Sequence, residues 1–412
     1  MIRESENLRL GPVTGTDRID ALDTLRGFAL LGILVMNIQM FAMPDAAYFF
    51  PTAYGALGGL NGLVWHLGEL LASSKFITIF SMLFGAGMVL MNDRAKARGR
   101  GFAGLHYRRM FWLLIIGLIH AYLLWPGDVL VSYALCGLFV FLFRNVRPGR
   151  LIIAGLVFLI IGSSFSCLTG WSSQAWPEEV LTEFENGFFP PPEEIAEEIE
   201  HMRGGFSSQM KVRVPNAAYM HATVFPFYMI WRGASAMLLG MALFKWGVFS
   251  ARASRRTYLI FIALGLLVGI PLTGMGIIRR VAVDWDPIHS FFVLGQYNYW
   301  GSYLTALGWI GLVMLICQSG ALPGLRRRLA AVGRMALTNY LMHTVLCSLI
   351  FYGYGLALFG SVSRVSQVGI TVAIWIFQLW LAPLWLDRFR FGPMEWLWRS
   401  LSYLGRQPFK LR

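Results

Sequence analysis

An arginine and an asparagine stand inside the first long apolar stretch of the sequence, residues 24–43. They are Arg26 and Asn37, and their neighbours are mostly leucine, isoleucine, valine and glycine. An arginine at the centre of a membrane-spanning helix costs about 2.5–3.5 kcal/mol even on insertion scales, so such residues usually have a partner or a task. We therefore expect Arg26 and Asn37 to mark a functional site.

A histidine and an aspartate flank a tight turn further along the chain. Pro126 and Gly127 separate two apolar stretches, so the two helices must run antiparallel. His120 and Tyr133 lie six residues from the turn on either side, which predicts that they reach the same depth and can touch. Asp128, at the rim, can orient His120, and histidine suits proton transfer near neutral pH. The alternative is a hydrogen bond between helices that has no chemical role.

Two further cations fall at the edge or in the middle of apolar stretches. Lys75 either reaches toward the lipid headgroups or acts as a counter-ion for a carboxylate such as Glu69 or for an anionic substrate. Arg232 lies deep in its stretch, close to Pro226, which we expect to kink the helix. This depth makes Arg232 a candidate site residue.

A third polar group lies near the start of the apolar stretch 331–352. Asn339 and His343 are four residues apart and share one helix face, and Tyr340 follows Asn339 directly. This group either contributes to a site or packs as polar contacts between helices.

The composition excludes a soluble globular protein. Of the 412 residues 56% are hydrophobic and 14% are charged, and the mean hydropathy is +0.57. The net charge of +13 comes from basic clusters between apolar stretches, which favours topology signals over nucleic-acid binding. The four cysteines lie in apolar stretches without metal-ligand spacing, so no metal site is expected. The sequence also lacks the motifs of ATP hydrolysis, of a nucleophile elbow and of zinc chemistry.

The apolar stretches predict an all-α polytopic membrane protein with one integral-membrane domain, 1–412. Ten stretches are long enough to cross a hydrocarbon core of about 30 Å. Basic connections alternate with less basic ones, so the positive-inside rule places the N-terminal segment 1–23 and the tail 388–412 in the cytoplasm. The ten stretches are 24–43, 75–92, 108–125, 128–144, 150–170, 217–245, 256–278, 289–317, 331–352 and 366–386.

Two segments stand outside the ten spans. Residues 57–72 are apolar but short, and His66 and Glu69 interrupt them. A crossing there would reverse every later connection, so we expect an interfacial or re-entrant helix on the outer face. Residues 171–216 are rich in glutamate and predict a solvated outer loop with one short amphipathic helix at 193–202, or else a lid over an outward-facing site.

Several of these motifs together resemble the YeiB-type bacterial inner-membrane proteins, a family without a settled activity. The resemblance covers nearly the whole chain and implies a multi-pass protein of the bacterial inner membrane. The motifs are Leu22-Asp-Thr-Leu-Arg26-Gly, Phe80-Ser-Met-Leu-Phe-Gly-Ala-Gly87 after Lys75, Gly117-Leu-Ile-His120 followed by Gly127-Asp128-Val-Leu, Gly333-Arg-Met-Ala-Leu-Thr-Asn-Tyr340, and Gly392-Pro-Met-Glu-Trp-Leu-Trp-Arg399.

The first motif also resembles the transmembrane acyltransferase superfamily, which includes the acyltransferase-3 enzymes and heparan-α-glucosaminide N-acetyltransferase. Those proteins move an acyl group, commonly acetyl from cytoplasmic acetyl-CoA, onto a sugar on the other face of the membrane. Acyltransferase-3 proteins carry Arg-x10-His in the first span, whereas this chain has Asn37, and an amide cannot accept a proton near neutral pH. The heparan acetyltransferase branch carries Arg-x10-Asn, which Arg26 and Asn37 match, and by that pattern His66 takes the place of its catalytic histidine.

The resemblance implies a membrane acyltransferase that uses acetyl-CoA or another acyl-CoA as co-substrate and no metal. His66 and His120 are rival general bases, and Arg26 or Asn37 binds the donor or polarises its carbonyl. The expected partners are the lipid bilayer and a glycan or lipid-linked acceptor of the cell envelope, with a homodimer as an option. A transporter of a small anionic or amphipathic solute and a non-enzymatic scaffold or sensor are the alternatives. The candidate residues are His120, His66 and Asp128 for catalysis, and Arg26, Asn37, Glu69, Lys75, Tyr133, Arg232, Asn339 and Tyr340 for binding.

Overall fold

The computed structural model describes residues 19–411, and these residues are predominantly helical. Within that range the backbone forms no strand, apart from a single bridge between Phe389 and Lys410. Most of the N-terminal segment 1–23 lies outside the described residues, as does the last residue of the tail 388–412. The all-α class predicted from the sequence is confirmed.

Eighteen α-helices follow one another along the described part of the chain. The first nine are α1 (Asp20–Ala42), α2 (Ala46–Phe49), α3 (Gly59–Leu71), α4 (Lys75–Ala97), α5 (Ala103–Ile119), α6 (Leu130–Val140), α7 (Pro148–Ser172), α8 (Glu178–Phe188) and α9 (Pro192–Arg203). The second nine are α10 (Phe206–Tyr219), α11 (Ile230–Lys245), α12 (Arg255–Leu264), α13 (Ile270–Ala282), α14 (Gly295–Ser319), α15 (Pro323–Arg334), α16 (Ala336–Phe351), α17 (Arg364–Leu386) and α18 (Pro393–Ser402).

Ten apolar helical segments make this chain a multi-pass membrane protein. Eight are long and apolar enough to cross a membrane, and the shorter helices Leu130–Asn145 and Ala336–Phe351 complete the set found among residues 19–411. All ten fall on the apolar stretches that the sequence predicted. The side of the membrane on which the termini lie stays a prediction. The eight longer segments are Asp20–Ala42, Gly59–Ala97, Ala103–Leu124, Pro148–Ala175, Phe206–Lys245, Arg255–Ala282, His289–Ser319 and Arg364–Leu386.

The polar ends of the helices define two faces of the bundle. Arginines gather where α1 begins and α4 ends, and we call this end the basic face. The other end, where α1 ends and α4 begins, is called the opposite face. The hairpin turn between α5 and α6 lies toward the opposite face, because α5 starts at the basic face and runs across the bundle.

Helix α1 packs against α15 through direct contact between main chains. A Cβ atom added at Gly27 would lie 2.0 Å from the carbonyl oxygen of Leu329, and one added at Gly333 would lie 2.0 Å from that of Asp23. Neither position has room for a side chain unless the helices separate. The contact therefore holds the start of α1 against the end of α15.

Helix α3 corresponds to the predicted segment 57–72. It is separated from α4 by a short turn in which Ser74 has a φ of 64°. The Asn61 side chain accepts a hydrogen bond from the Val365 N–H at 3.1 Å, and Trp65 packs edge-on against Trp285. These contacts place α3 beside the start of α17 and the end of α13, and its position at the outer membrane interface stays a prediction.

The acidic segment 171–216 is more helical than the sequence predicted. It contains α8, α9 and most of α10 rather than a loop with one helix at 193–202. Pro177 immediately precedes α8 and Pro192 opens α9, and each of these helices has two glutamates in its first turn. A proline at the start and carboxylates in the first turn both favour a helix N-terminus. The low hydropathy of these short helices hid them in the sequence.

Helix α9 docks on the loop that follows α1. Glu198 Oε1 accepts a hydrogen bond from the Asp45 N–H at 3.1 Å, and the Asn216 amide donates to the Asp45 carboxylate. Burial raises the pKa of Glu198 to about 8, with a further increase from the nearby Asp45 carboxylate. Burial also raises the pKa of Asp45 to about 6. The acidic segment is thus packed against the bundle through two carboxyl groups that favour protonation.

Candidate functional site

The turn between α5 and α6 brings a histidine and an aspartate together. Helix α5 continues into a wider π-helical turn, His120–Leu124, before the chain reverses. A side chain at Gly127 would meet the Trp125 ring at 2.4 Å, so the turn requires glycine there. Trp125 is buried and stacks on Phe41 of α1 with the ring centroids 4.3 Å apart. The hairpin is therefore anchored to α1 next to the two polar residues.

His120 and Asp128 form a buried hydrogen-bonded pair. Asp128 Oδ2 lies 2.6 Å from His120 Nδ1, and Asp128 Oδ1 accepts a hydrogen bond from the Val131 N–H at 2.9 Å. His120 is 1% exposed and Asp128 is 2% exposed. Because the carboxylate can only accept, Nδ1 carries the proton, and in the neutral imidazole Nε2 then presents a lone pair. A histidine held in this way has the geometry of a general base.

The Nε2 side of His120 faces helix α16. Thr344 Oγ1 lies 2.8 Å from Nε2, and the Tyr340 ring lies 5.4 Å from the imidazole ring. The Trp125 ring is 6.3 Å away, and its buried indole N–H has no hydrogen-bond partner among residues 19–411. No sequence pattern pointed to Thr344, because nothing in its spacing connects it to a histidine 224 positions earlier.

A cavity of about 260 Å³ extends from the basic face into the bundle and ends close to this pair, although His120 and Asp128 do not themselves line it. Val129, Tyr133 and Tyr340 line its inner part, and Val129 is the residue directly after Asp128. The walls in between are mainly apolar, which suits a slender chain rather than a bulky polar molecule. Wall residues include Leu30, Ile33, Leu83, Phe84, Met88, Met110 and Leu113.

The mouth of the cavity, at the basic face, carries an excess of positive charge. Five arginines line it, compared with two carboxylates, Asp23 and Glu395. Arg26, the arginine of the first motif, lines the mouth together with Asp23, and Arg26 Nη1 lies 2.6 Å from Asp23 Oδ1. Guanidinium groups bind phosphate well, so the mouth favours an anionic ligand group. The five arginines are Arg26, Arg94, Arg109, Arg334 and Arg399.

Glu395 connects the last motif to the helix that carries Tyr340 and Thr344. Its Oε1 accepts hydrogen bonds from the Leu337 N–H at 2.6 Å and the Thr338 N–H at 3.1 Å, at the start of α16. A carboxylate at this position satisfies donors that a helix N-terminus leaves unpaired. The sequence contained Glu395 within a motif, but spacing alone gave it no role.

Tyr133 lines the cavity without touching the histidine. Its ring packs near Phe84, and its hydroxyl lies 2.9 Å from Ser81 Oγ on α4. The tyrosine beside His120 is Tyr340, although the sequence predicted that Tyr133 could fill this place. The two helices are antiparallel as predicted, but the π-helical turn changes which side chains face each other.

Lys75 and Arg232 belong to a second buried cluster, nearer the opposite face. Lys75 Nζ donates to the Glu69 carbonyl oxygen at 2.5 Å and to Asn298 Oδ1 at 2.6 Å, and Lys75 is fully buried. Arg232 donates to Ser302 Oγ at 2.7 Å. Lys75 therefore does not extend to the headgroups, and the structure groups Lys75, Glu69 and Arg232 apart from the His120–Asp128 pair.

Three other candidates lie outside the lining of the cavity. His66 is exposed on α3, where Nδ1 bonds to the carbonyl oxygen of Gly62 at 2.6 Å. Asn37 is half-buried on α1. Asn339 donates to the Val332 carbonyl oxygen at 3.2 Å and so braces the break between α15 and α16. Of the two rival bases, the structure places His120 next to the cavity and His66 away from it.

The sequence is similar over nearly its whole length to bacterial proteins whose activity is not known. It is 32% identical to the uncharacterized protein YxaH of Bacillus subtilis (strain 168), and the match covers 97% of this chain and 98% of YxaH. It is 31% identical to the uncharacterized protein YeiB of Escherichia coli (strain K12), over 95% of this chain and 98% of YeiB. The chain belongs to the YeiB family.

The C-terminal part of this YeiB-family chain also matches a separate family model. Residues 243–405 match the family described as a protein of unknown function, DUF418. That region includes Thr344 and Glu395, whereas His120 and Asp128 precede it. The His120–Asp128 pair and Thr344 therefore come from different parts of the YeiB-family sequence and come together only in the folded protein.

Proposed function

We propose that this protein is a membrane acyltransferase. Its donor is an acyl-CoA, acetyl-CoA in the simplest case, and its acceptor is a glycan or lipid-linked group of the cell envelope. By the positive-inside rule, the basic face is the cytoplasmic face of a bacterial inner membrane. The observation that carries the proposal is the cavity between an arginine-rich mouth and the His120–Asp128 pair.

The length of the cavity supports an acyl-CoA donor. Arg109 at the mouth and His120 lie eleven residues apart on one continuous helical path, a distance of about 17 Å at 1.5 Å per residue. An extended pantetheine arm is about as long as five extended residues, roughly 17 Å. The phosphates of CoA would then face the arginines, and the thioester would lie beside Tyr133 and Tyr340.

In this proposal His120 is the general base. Asp128 keeps the proton on Nδ1, so Nε2 can take one from an attacking hydroxyl, a contribution of about 10²–10⁴ in rate. The pair lies close to the hairpin turn at the opposite face, while the cavity opens at the basic face. Donor and acceptor would therefore approach His120 from opposite sides of the membrane.

Transfer of labelled acetyl groups tests the proposal. Purified protein in lipid nanodiscs is incubated with radiolabelled acetyl-CoA and an envelope extract. We expect the wild type and the His66→Ala variant to transfer label, and the His120→Gln variant to lose transfer. His66 is the matched control because it is an exposed histidine outside the cavity. Absence of transfer by the wild type, or equal transfer by His120→Gln, would refute the proposal.

The second buried cluster supports an alternative function, transport of a small anionic solute. Lys75 interacts electrostatically with Glu69, Arg232 and Arg280, and Arg280 also interacts with Glu69, so three basic side chains surround one carboxylate. The π-helical stretch Met220–Met229 interrupts the helix before Arg232, and broken helices are typical of transporter sites.

Uptake into proteoliposomes distinguishes this alternative from acyl transfer. Labelled acetate and inorganic phosphate serve as probes under an imposed proton gradient. Gradient-dependent uptake that Arg232→Gln abolishes would favour transport. Absence of uptake in a preparation that transfers acetyl groups would exclude it.

A further inference from the structure

The hydroxyl of Thr344 is bonded differently from the hydroxyls of most other helical threonines whose contacts are described. A helical threonine commonly donates to the carbonyl oxygen four residues earlier. Thr371 does so to Gln367 at 2.9 Å, and Thr305 does so to Gly301 at 3.0 Å. Thr344 instead places Oγ1 2.8 Å from His120 Nε2. Thr24, Thr78 and Thr273 also donate to the carbonyl oxygen four residues earlier, as Thr371 and Thr305 do.

Three side chains form one hydrogen-bonded series through His120. Thr344 Oγ1, His120 and Asp128 are joined by contacts of 2.8 and 2.6 Å, and each residue is at most 2% exposed. When the His120 imidazole is neutral and Asp128 holds its proton on Nδ1, the Thr344 hydroxyl donates its proton to Nε2. A hydroxyl, an imidazole and a carboxylate in this order are the arrangement that activates a nucleophile in acyl-transfer enzymes.

We propose that Thr344 is the nucleophile of the transfer and carries the acyl group as an oxygen ester. This inference rests on the proposed acyltransferase function and deepens it. Tyr340 lines the cavity and shares a helix face with Thr344, four residues later. Thr344 is buried just outside the lining, so in this proposal the Tyr340 ring moves aside to admit the acyl group.

The first half of the reaction loads Thr344. Thr344 Oγ1 attacks the thioester carbonyl carbon while His120 Nε2 takes the hydroxyl proton. The carbon–sulfur bond breaks, and the departing CoA sulfur receives that proton from His120. Free CoA leaves through the mouth, and the acyl group remains on Thr344.

The second half of the reaction transfers the acyl group from Thr344 to the acceptor. An acceptor hydroxyl attacks the ester carbonyl carbon while His120 Nε2 takes its proton. The bond between the acyl carbon and Oγ1 breaks, and Oγ1 recovers a proton from His120. The donor and the acceptor never occupy the site together, which suits a transfer between substrates on two sides of a membrane.

The decisive experiment omits the acceptor. Purified wild-type protein in nanodiscs is incubated with radiolabelled acetyl-CoA, then digested and examined by mass spectrometry. We expect one acetyl group per chain, released CoA in equal amount, and the modification on the peptide that contains Thr344. The label should resist neutral hydroxylamine, which cleaves thioesters, and should be released by alkali, as an oxygen ester is.

Variants at matched positions separate the outcomes. Thr344→Ser should keep the label, and Thr344→Val should lose both the label and the transfer to envelope extract. Thr371→Val, at a buried helical threonine bonded within its own helix, should keep both.

Two results overturn the inference, and they differ in what they say about the proposed function. If the wild type transfers acetyl groups to the extract but no label appears on the protein, and Thr344→Val transfers normally, acyl transfer stands and the threonine ester is wrong. If the wild type neither releases CoA nor transfers, both are wrong. Because the labelling is read on the wild type, the result does not depend on whether Thr344→Val folds.

Discussion

The carboxylate of Glu395 holds Thr338 by two hydrogen bonds, from the Thr338 N–H at 3.1 Å and from its hydroxyl at 2.6 Å. Thr338 is in the first turn of α16, and Glu395 belongs to α18 at the C-terminal end of the chain. The C-terminal motif therefore supports the helix on which Tyr340 and Thr344 lie. Its role is to orient this helix relative to the hairpin that carries His120.

Replacing Glu395 with glutamine should lower the stability of the protein. Hydrogen bonds to a charged acceptor contribute about 1.5–3 kcal/mol, and the neutral amide also loses the attraction to the helix N-terminus. We expect a lower melting temperature in detergent, measured by fluorescence-detected gel filtration after heating. Glu183→Gln, at an exposed glutamate of α8, is the matched control and should melt like the wild type. A Glu395→Gln variant as stable as this control would contradict the role given to Glu395.

Replacing Asp128 with asparagine should reduce the rate of acetyl transfer by roughly 10³- to 10⁴-fold, as expected when a histidine loses the carboxylate that sets its tautomer. The side chain keeps its size, so the change acts through the hydrogen bond to Nδ1 at 2.6 Å. The measurement is the initial rate with radiolabelled acetyl-CoA. Asp93→Asn alters an exposed aspartate at the end of α4 and should leave the rate unchanged. A small effect of Asp128→Asn would mean that Asp128 does not orient the base.

Replacing Gly27 with alanine should destabilise the bundle by at least about 1–3 kcal/mol, the cost of overpacking a filled interior. The new methyl group would meet the Leu329 carbonyl oxygen at 2.0 Å, and a main-chain atom cannot move aside as a flexible side chain does. Gly369→Ala is the control, because a Cβ there meets nothing within 4 Å and alanine favours a helix. The melting temperature in detergent should fall for Gly27→Ala and should stay the same or rise for Gly369→Ala.

The contact between α9 and the loop after α1 should weaken as the pH rises. Burial raises the pKa of both Glu198 and Asp45, so the docked state binds protons more tightly than the undocked state. The stabilising contribution is therefore present at low pH and is lost as the pH rises through about 6 and then about 8, the raised values. The protection of residues 192–203 against hydrogen exchange, corrected for the base-catalysed rise of the intrinsic exchange rate, should fall over that window.

Glu198→Gln should remove much of this pH dependence, because the amide stays neutral throughout the window. Glu197→Gln, at the exposed neighbouring position, should retain it. If the protection of residues 192–203 in the wild type does not change with pH, or rises with pH, the assignment to Glu198 and Asp45 is refuted.

Hydropathy was sufficient to predict the eight helices that are long enough to cross a membrane and the two shorter apolar helices, because each is a local property of about 20 residues. The pairing of His120 with Asp128 could also be predicted from the sequence, because only a tight turn separates the two residues along the chain. The contact between His120 and Thr344 was not, because it depends on how α16 packs against a hairpin more than 200 residues earlier.

The two residues that first drew attention separate in the structure. Arg26 lies at the mouth of the cavity, and Asn37 is half-buried on the same helix outside the cavity lining. Their spacing matched a family motif but did not reveal which ligand group each would meet. That assignment required the arginines of α4, α5, α15 and α18, which converge with Arg26 only after folding.

The paired glycines of α1 and α15 bring the two main chains into direct contact at one side of the entrance to the cavity, with no room for a Cβ atom between them. Arg26 and Arg334 stand next to these glycines, so the spacing of two of the five cations is set by main-chain contact. Members of the family that carry larger residues at either position must hold these helices farther apart. In any aligned relative, the size of the residues at positions 27 and 333 should therefore predict how wide the entrance is and how large an anionic group it admits.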